Sequence, residues 1–159
     1  MPSLPLRKLP EGPHVPAGGC DIASRDLRLL SHPSELRRAR CHVDEAAAEF
    51  GLGPTDRYQL VFAVNEAVTN AIRYGTPDRD GTIGLRIAVH GDTLICSVND
   101  RGRGPVKPST AHADPLAEGG RGFTYMSMLT DEVELLHEPD GTTVRLHKRR
   151  DEASIEADV

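Results

Sequence analysis

Between Leu60 and Val98 the apolar residues of this chain change period once, from about 3.6 to about 2. Leu60, Ala63, Val64, Ala67, Val68, Ala71 and Ile72 recur at helical spacing. Ile83, Leu85, Ile87 and Val89 then alternate through "TIGLRIAVH" (82–90), and "TLICSV" (93–98) returns after the turn signal Gly91-Asp92. A helix with one apolar face, followed at once by a hairpin with one apolar face, buries both by stacking them. That restricts the chain to folds with helices and an antiparallel sheet in separate layers.

The flanking segments extend the pattern. "DLRLL" (26–30) reads as a short strand. Pro33 suits a first helical turn, and Leu36, Ala39, Val43, Ala46, Ala47 and Phe50 follow at helical spacing until "GLGP" (51–54) ends the run. Asp56 and Gln59 have capping-box spacing for the next helix, which Gly75 and Pro77 stop. Residues 101–122 are rich in glycine and proline and read mostly as loop. Phe123 to Leu129 reads as a helix, and "VELLH" (133–137) and "TVRLHK" (143–148) read as a second hairpin across "EPDG". The expected order is β-α-α-β-β-loop-α-β-β. It describes an α+β, two-layer α/β sandwich with a mostly antiparallel sheet and helices on one face. Residues 1–20, rich in proline and glycine, are expected to be a flexible arm, 21–150 the domain, and 151–159 an acidic flexible tail.

Charge and cysteine content narrow the setting. The net charge is −5, and the last nine residues hold four acids and no base, which leaves −1 over residues 1–150. A nucleic-acid binder would show a basic excess, so no direct nucleic-acid contact is expected. The three cysteines, Cys20, Cys41 and Cys96, suggest neither a disulfide framework nor a metal knuckle. The N-terminus has no apolar signal region and no run is long enough for a membrane span, so a reduced, cytoplasmic protein is expected. Aromatic residues make only 4% of the chain and Trp is absent, so the core must be aliphatic.

Four features could carry chemistry. Glu66 and Asn70 lie four apart, which puts their side chains together on one helix face. An amide oxygen suits Mg²⁺ beside phosphates, and a carboxylate one turn away can act on a hydroxyl. Asp100 shares the parity of Leu94, Cys96 and Val98, so its carboxylate should point toward the helix layer, where it needs a donor. Gly102 and Gly104 after it allow close backbone approach. "EGGRGF" (118–123), with Gly120 and Gly122, opens a helix whose N-terminus suits an anion. Thr142 shares the inward parity of Val144 and Leu146. Taken singly, each has an ordinary reading: a solvent-facing pair, a turn, a common glycine loop, a backbone-satisfied hydroxyl.

Their order and spacing are more specific. Helix E-x-x-x-N, strand-end D-x-G-x-G, G-x-G opening a helix, then G-T-T on the last strand resembles the GHKL ATP-binding (Bergerat) fold. That fold is shared by histidine kinases, gyrase-type topoisomerases, Hsp90 chaperones and MutL-type repair proteins. "NEAVTNAI" and "GRGFTYMSMLTDEVEL…DGTTVRL" resemble most the bacterial anti-sigma factors with serine kinase activity. The resemblance implies ATP and Mg²⁺ as cofactors. It makes Asn70 the Mg²⁺ ligand and Glu66 the general base toward a serine of a protein substrate. Asp100 then accepts the adenine amino group, Gly102 and Gly104 line the adenine slot, Gly120 and Gly122 close the phosphate side, and Thr142 acts on the adenine side through water. Residues 105–118 would be the lid. The implied partners are a sigma factor, an anti-sigma factor antagonist of STAS type and a second copy of the chain in a homodimer. The alternative is a sigma-sequestering nucleotide switch without kinase activity. A histidine-kinase catalytic domain would need an upstream phosphoacceptor helix or a separate partner that carries one, and His32 sits beside Pro33 at a helix start. The family often has His where this chain has Tyr74, and the lid shows no motif that aligns residue by residue.

Overall fold

Proline and glycine place the helix boundaries. In the computed structural model, which describes residues 24–75, 81–100, 121–139 and 141–151, Pro33 begins a 3-10 turn, Pro33–Glu35. His32 caps that turn, its Nδ1 accepting from the Ser34 amide at 3.1 Å. The turn leads into α1 (Leu36–Phe50). Gly51 ends α1 at φ 97°, a left-handed conformation that glycine adopts without a Cβ clash, and the Gly51 and Leu52 amides both reach the Ala47 carbonyl. Pro54 opens α2 (Pro54–Asn70) at its first position, where an amide would have no partner within the helix.

The capping box expected from Asp56 and Gln59 does not form. Pro54 starts the helix three residues earlier than an Asp56 cap would, and the cap is Gly53, which has no side chain to offer. Both residues serve Lys148 instead. Gln59 Oε1 accepts from its Nζ at 2.7 Å, and the Asp56 carboxylate lies at 3.7 Å. At its other end, α2 passes directly into a π turn, Ala71–Gly75.

Five strands form one antiparallel sheet: β1 (Ser24–Leu30), β2 (Thr82–His90), β3 (Thr93–Asp100), β4 (Glu132–Glu138) and β5 (Gly141–Arg149), in the order β1-β2-β3-β5-β4. A third helix, α3 (Arg121–Leu129), precedes β4. The order and the α+β two-layer arrangement are those expected. β3 runs two residues beyond its expected end, to Asp100, which pairs with Ile83 on one side and Thr142 on the other.

The core lies between sheet and helices. Leu29, Ile83, Leu85, Ile87, Leu94, Cys96 and Leu146 meet Val43, Leu60, Val64, Val68 and Met126, all fully buried. Each such leucine contributes about 1.5–3 kcal/mol. Buried alanines at 39, 46, 47, 63 and 67 keep the helices close to one another and to the sheet. Arg150, just past β5, holds the end of α1: its guanidinium lies 4.5 Å from the Phe50 ring centre and donates to the Phe50 carbonyl at 2.6 Å.

The opposite sheet face carries one charged row. In register across the five strands it reads Asp26, Arg86, Ser97, Arg145, Glu134. Arg145 pairs with Glu134 at 2.8 Å, and Arg86 with Asp26 at 3.7 Å. No helix among the described residues is long and apolar enough to cross a membrane.

Candidate functional site

Glu66 and Asn70 stand one turn apart near the end of α2, both partly exposed. The first turn of α3 comes against them at Gly122, which is buried. A β-carbon on Gly122 would lie 3.1 Å from Asn70 Nδ2 and 3.3 Å from Glu66 Oε1. The glycine therefore lets the α3 backbone approach the acid and the amide with nothing between. The first turn of a helix carries amides with no partner inside the helix and the positive end of its dipole. The structure thus assembles a carboxylate, an amide oxygen and an anion-favouring helix start from segments far apart in sequence.

The second half of the site is built around Asp100. β3 alternates as expected, so Leu94, Cys96, Val98 and Asp100 face the helices and Asp100 is only 7% exposed. Its carboxylate lies directly against the Gly75 backbone. A β-carbon at Gly75 would sit 2.3 Å from Asp100 Cγ and 2.5 Å from Oδ2, a clash no side chain escapes without movement. Gly75 ends the π turn that continues α2, and such turns recur where a helix must place a functional group. The sequence had marked Gly75 only as a helix stop. Its spacing of five from Asn70 was the available signal, but nothing in it named Asp100 as the neighbour.

Thr142 lies opposite Asp100 in register, buried, on the same inward parity. Behind them, on the other sheet face, Asn99 Nδ2 donates to Thr143 Oγ1 at 2.8 Å and to the Thr142 carbonyl at 3.3 Å. This ties the ends of β3 and β5 together beneath Asp100. Tyr74 is half exposed, with the Arg73 guanidinium 6.0 Å from its ring centre. Gly102, Gly104, Gly120 and residues 105–118 lie outside the described residues.

The residues present fit Mg-ATP. A hard amide oxygen and a carboxylate meet a helix start at Gly122, and a buried carboxylate lies against a side-chain-free backbone at Gly75. Glu132, Glu134 and His147 also cluster on the outer sheet face. There Glu134 is occupied by Arg145 at 2.8 Å and by His147 Nε2 at 3.0 Å, so that cluster is an ion-pair group.

Residues 29–148 match the family described as Histidine kinase-like ATPase domain. The chain belongs to this family of nucleotide-binding domains. It is similar to the serine-protein kinase RsbW of Bacillus pumilus, with 30% identity over 149 residues, 84% of this chain and 90% of that protein. It is similar to an anti-sigma F factor of a Thermoanaerobacter species, with 30% identity over 131 residues, 77% of this chain and 91% of that protein. Among solved structures, the RsbU and RsbW domains of a Mycobacterium tuberculosis protein superpose with a TM-score of 0.61 and 26% identity, covering 79% of this chain and 32% of that one.

Proposed function

We propose that this chain is an anti-sigma factor with serine-protein kinase activity, transferring phosphate from ATP to a serine of a STAS-type antagonist. The observation that carries the reading is the meeting of Glu66, Asn70 and the first turn of α3 at Gly122. Relatives named serine-protein kinase and anti-sigma factor support it.

In this reading Asn70 Oδ1 ligates Mg²⁺, which when bound neutralises phosphate charge. Glu66 orients the acceptor hydroxyl and takes its proton. Asp100 accepts from the adenine amino group, with Thr142 beside it acting through water. Gly75 keeps a side chain out of that contact. Gly102 and Gly104 line the adenine side, and Gly120 and Gly122 line the phosphate side. The protein works in the cytoplasm as a homodimer and holds its sigma factor until unphosphorylated antagonist displaces it. Residues 21–150 suffice for nucleotide binding.

Nucleotide binding is read first, from melting with ATP and Mg²⁺. At a hundred times Kd the fold gains about 2.7 kcal/mol, and Asp100→Asn or Asn70→Ala removes that gain. No shift at millimolar ATP overturns the nucleotide site. Glu66→Gln, which keeps shape and removes charge, then cuts phosphoryl transfer about 10²–10⁴-fold while ATP affinity stays within a few-fold. Transfer at the parent rate refutes the base role. A parent protein that binds ATP and sigma factor but labels no protein from radiolabelled ATP replaces the kinase with a non-catalytic switch.

A further inference from the structure

Tyr58, Phe62, Glu66 and Asn70 follow one another at four-residue intervals along α2, so the row that ends in the site begins in two aromatic rings. α3 runs beside it with Gly122, Tyr125 and Met128 at three-residue intervals. Gly122 meets Glu66 and Asn70, and Tyr125 meets Phe62 edge-on with ring centres 6.0 Å apart. Phe62 in turn lies 6.4 Å from Tyr58. The result is a continuous apolar strip leading away from Glu66.

The strip is open. Tyr58 and Met128 are each 70% exposed, and Tyr125 is 45% exposed. The chain has three Tyr, three Phe and no Trp, so half of its six aromatic residues gather on this one strip. Of the others, Phe50 lies in the core and Phe123 packs against it, whereas Tyr58, Phe62 and Tyr125 belong to neither group. Exposed tyrosine and methionine beside a reactive group are side chains that protein partners bury: tyrosine offers a large apolar area with few rotatable bonds, and flexible methionine adapts to the shape of the partner.

We infer that this strip is the docking surface for the phosphoacceptor protein, and that it selects apolar side chains about two and four residues from the acceptor serine. The inference rests on the kinase reading of Glu66. A serine delivered to Glu66 brings its flanking chain over whatever adjoins Glu66, and toward the start of α2 that is Phe62 and then Tyr58. At a helical rise of about 1.5 Å per residue, Phe62 and Tyr58 lie about 6 and 12 Å along the axis from Glu66. An extended substrate segment advances about 3.3 Å per residue, so residues about two and four places from the serine reach them. A sigma factor held without being phosphorylated has no need of a surface leading to Glu66. A second copy seated on the strip would cover the approach the serine must use.

The test uses the full chain and the protein it labels from radiolabelled ATP in cytoplasmic extract, purified and returned as substrate. Tyr58→Ala and Tyr125→Ala should each raise KM for that protein about thirtyfold, the smallest loss that counts as a hot spot. In both variants kcat and the ATP-induced melting shift should stay within twofold of the parent. Tyr58→Phe should restore the parent KM, because ring area and not the hydroxyl makes the contact. In the substrate, replacing the apolar residues two and four places from the labelled serine by Asp should raise KM equally. An unchanged KM in the alanine variants overturns the docking surface and leaves the kinase reading standing. A loss confined to kcat, to sigma-factor binding or to dimer formation also overturns it, and names the other occupant. If the parent labels no protein, the kinase reading falls and the docking surface falls with it.

Discussion

Along β3, Leu94, Cys96 and Val98 turn toward the helices while Ile95, Ser97 and Asn99 turn away, yet all six are less than a tenth exposed. On the inner side the cover is hydrocarbon from α1, α2 and α3. On the outer side the neighbours in register differ by position: Ala88 and His147 flank Ile95, and Gly84 and Thr143 flank Asn99. Arg86 and Arg145 stand on either side of Ser97, and each faces an acid on an edge strand. The inner face stabilises by transfer from water, which scales with area. The outer face gains little net energy from partly exposed ion pairs. The inner face stays apolar from Leu94 through Val98 and then changes character. At Asp100 a carboxylate takes the parity of the leucines, and there the packing layer becomes the candidate site.

The largest expected difference between the faces lies in truncation. Leu146→Ala removes a fully buried side chain opposite Cys96 and should cost about 3 kcal/mol by denaturant unfolding. Burial pushes the Cys96 thiol up to about 12, so it should resist a disulfide reagent in the parent and react sooner in the variant, while exposed Cys41 reacts in both. If Ser97→Ala, on the outer face, costs as much as Leu146→Ala, the contrast is wrong.

A smaller loss is expected where the inner face meets the site. Gly75→Ala puts a methyl group against the Asp100 carboxylate and should cost about 1–3 kcal/mol as overpacking. It should also weaken the ATP-induced melting shift, because the carboxylate must move. A variant that keeps full stability and the full shift would show that Gly75 and Asp100 do not need their close contact.

On the outer face, Arg145→Met should cost about 1 kcal/mol, because Glu134 is about a third exposed and can turn to water when its partner goes. A loss as large as that of Leu146→Ala would make the charged row a structural equal of the core.

The smallest effect is on pH dependence. Burial alone would raise the Glu134 pKa, but the hydrogen bond with His147 and the Arg145 guanidinium hold it below its usual value. The folded pKa lies below the unfolded one, so the contribution is present above about pH 4.3 and is lost as pH falls through the folded value. Glu134→Gln should therefore lose stability less steeply than the parent on the acid side of that pH. Parallel acid limbs for the two proteins would remove Glu134 from the row's balance.

The change of apolar period between Ile72 and Ile83 was enough to establish two layers, because helical and strand periodicities are local properties that survive without knowledge of partners. Parity likewise pointed Asp100 and Thr142 inward, where the structure has them. The last two residues of β3, Asn99 and Asp100, carry no apolar signal, and it is their pairing with β2 and β5 that makes them strand. The start of α2 was misread because Asp56 and Gln59 suit a cap, while Lys148, distant in sequence, claims them in the fold. Glu66 and Asn70 were legible as a pair because four residues make one helical turn. That Gly122 closes on that pair, that Gly75 lies under Asp100, and that Tyr125 extends the row of Tyr58 and Phe62 are contacts between segments far apart in the chain. Only the packing of α2 against α3 and β3 decides such contacts, because no local periodicity records which distant backbone a side chain will meet.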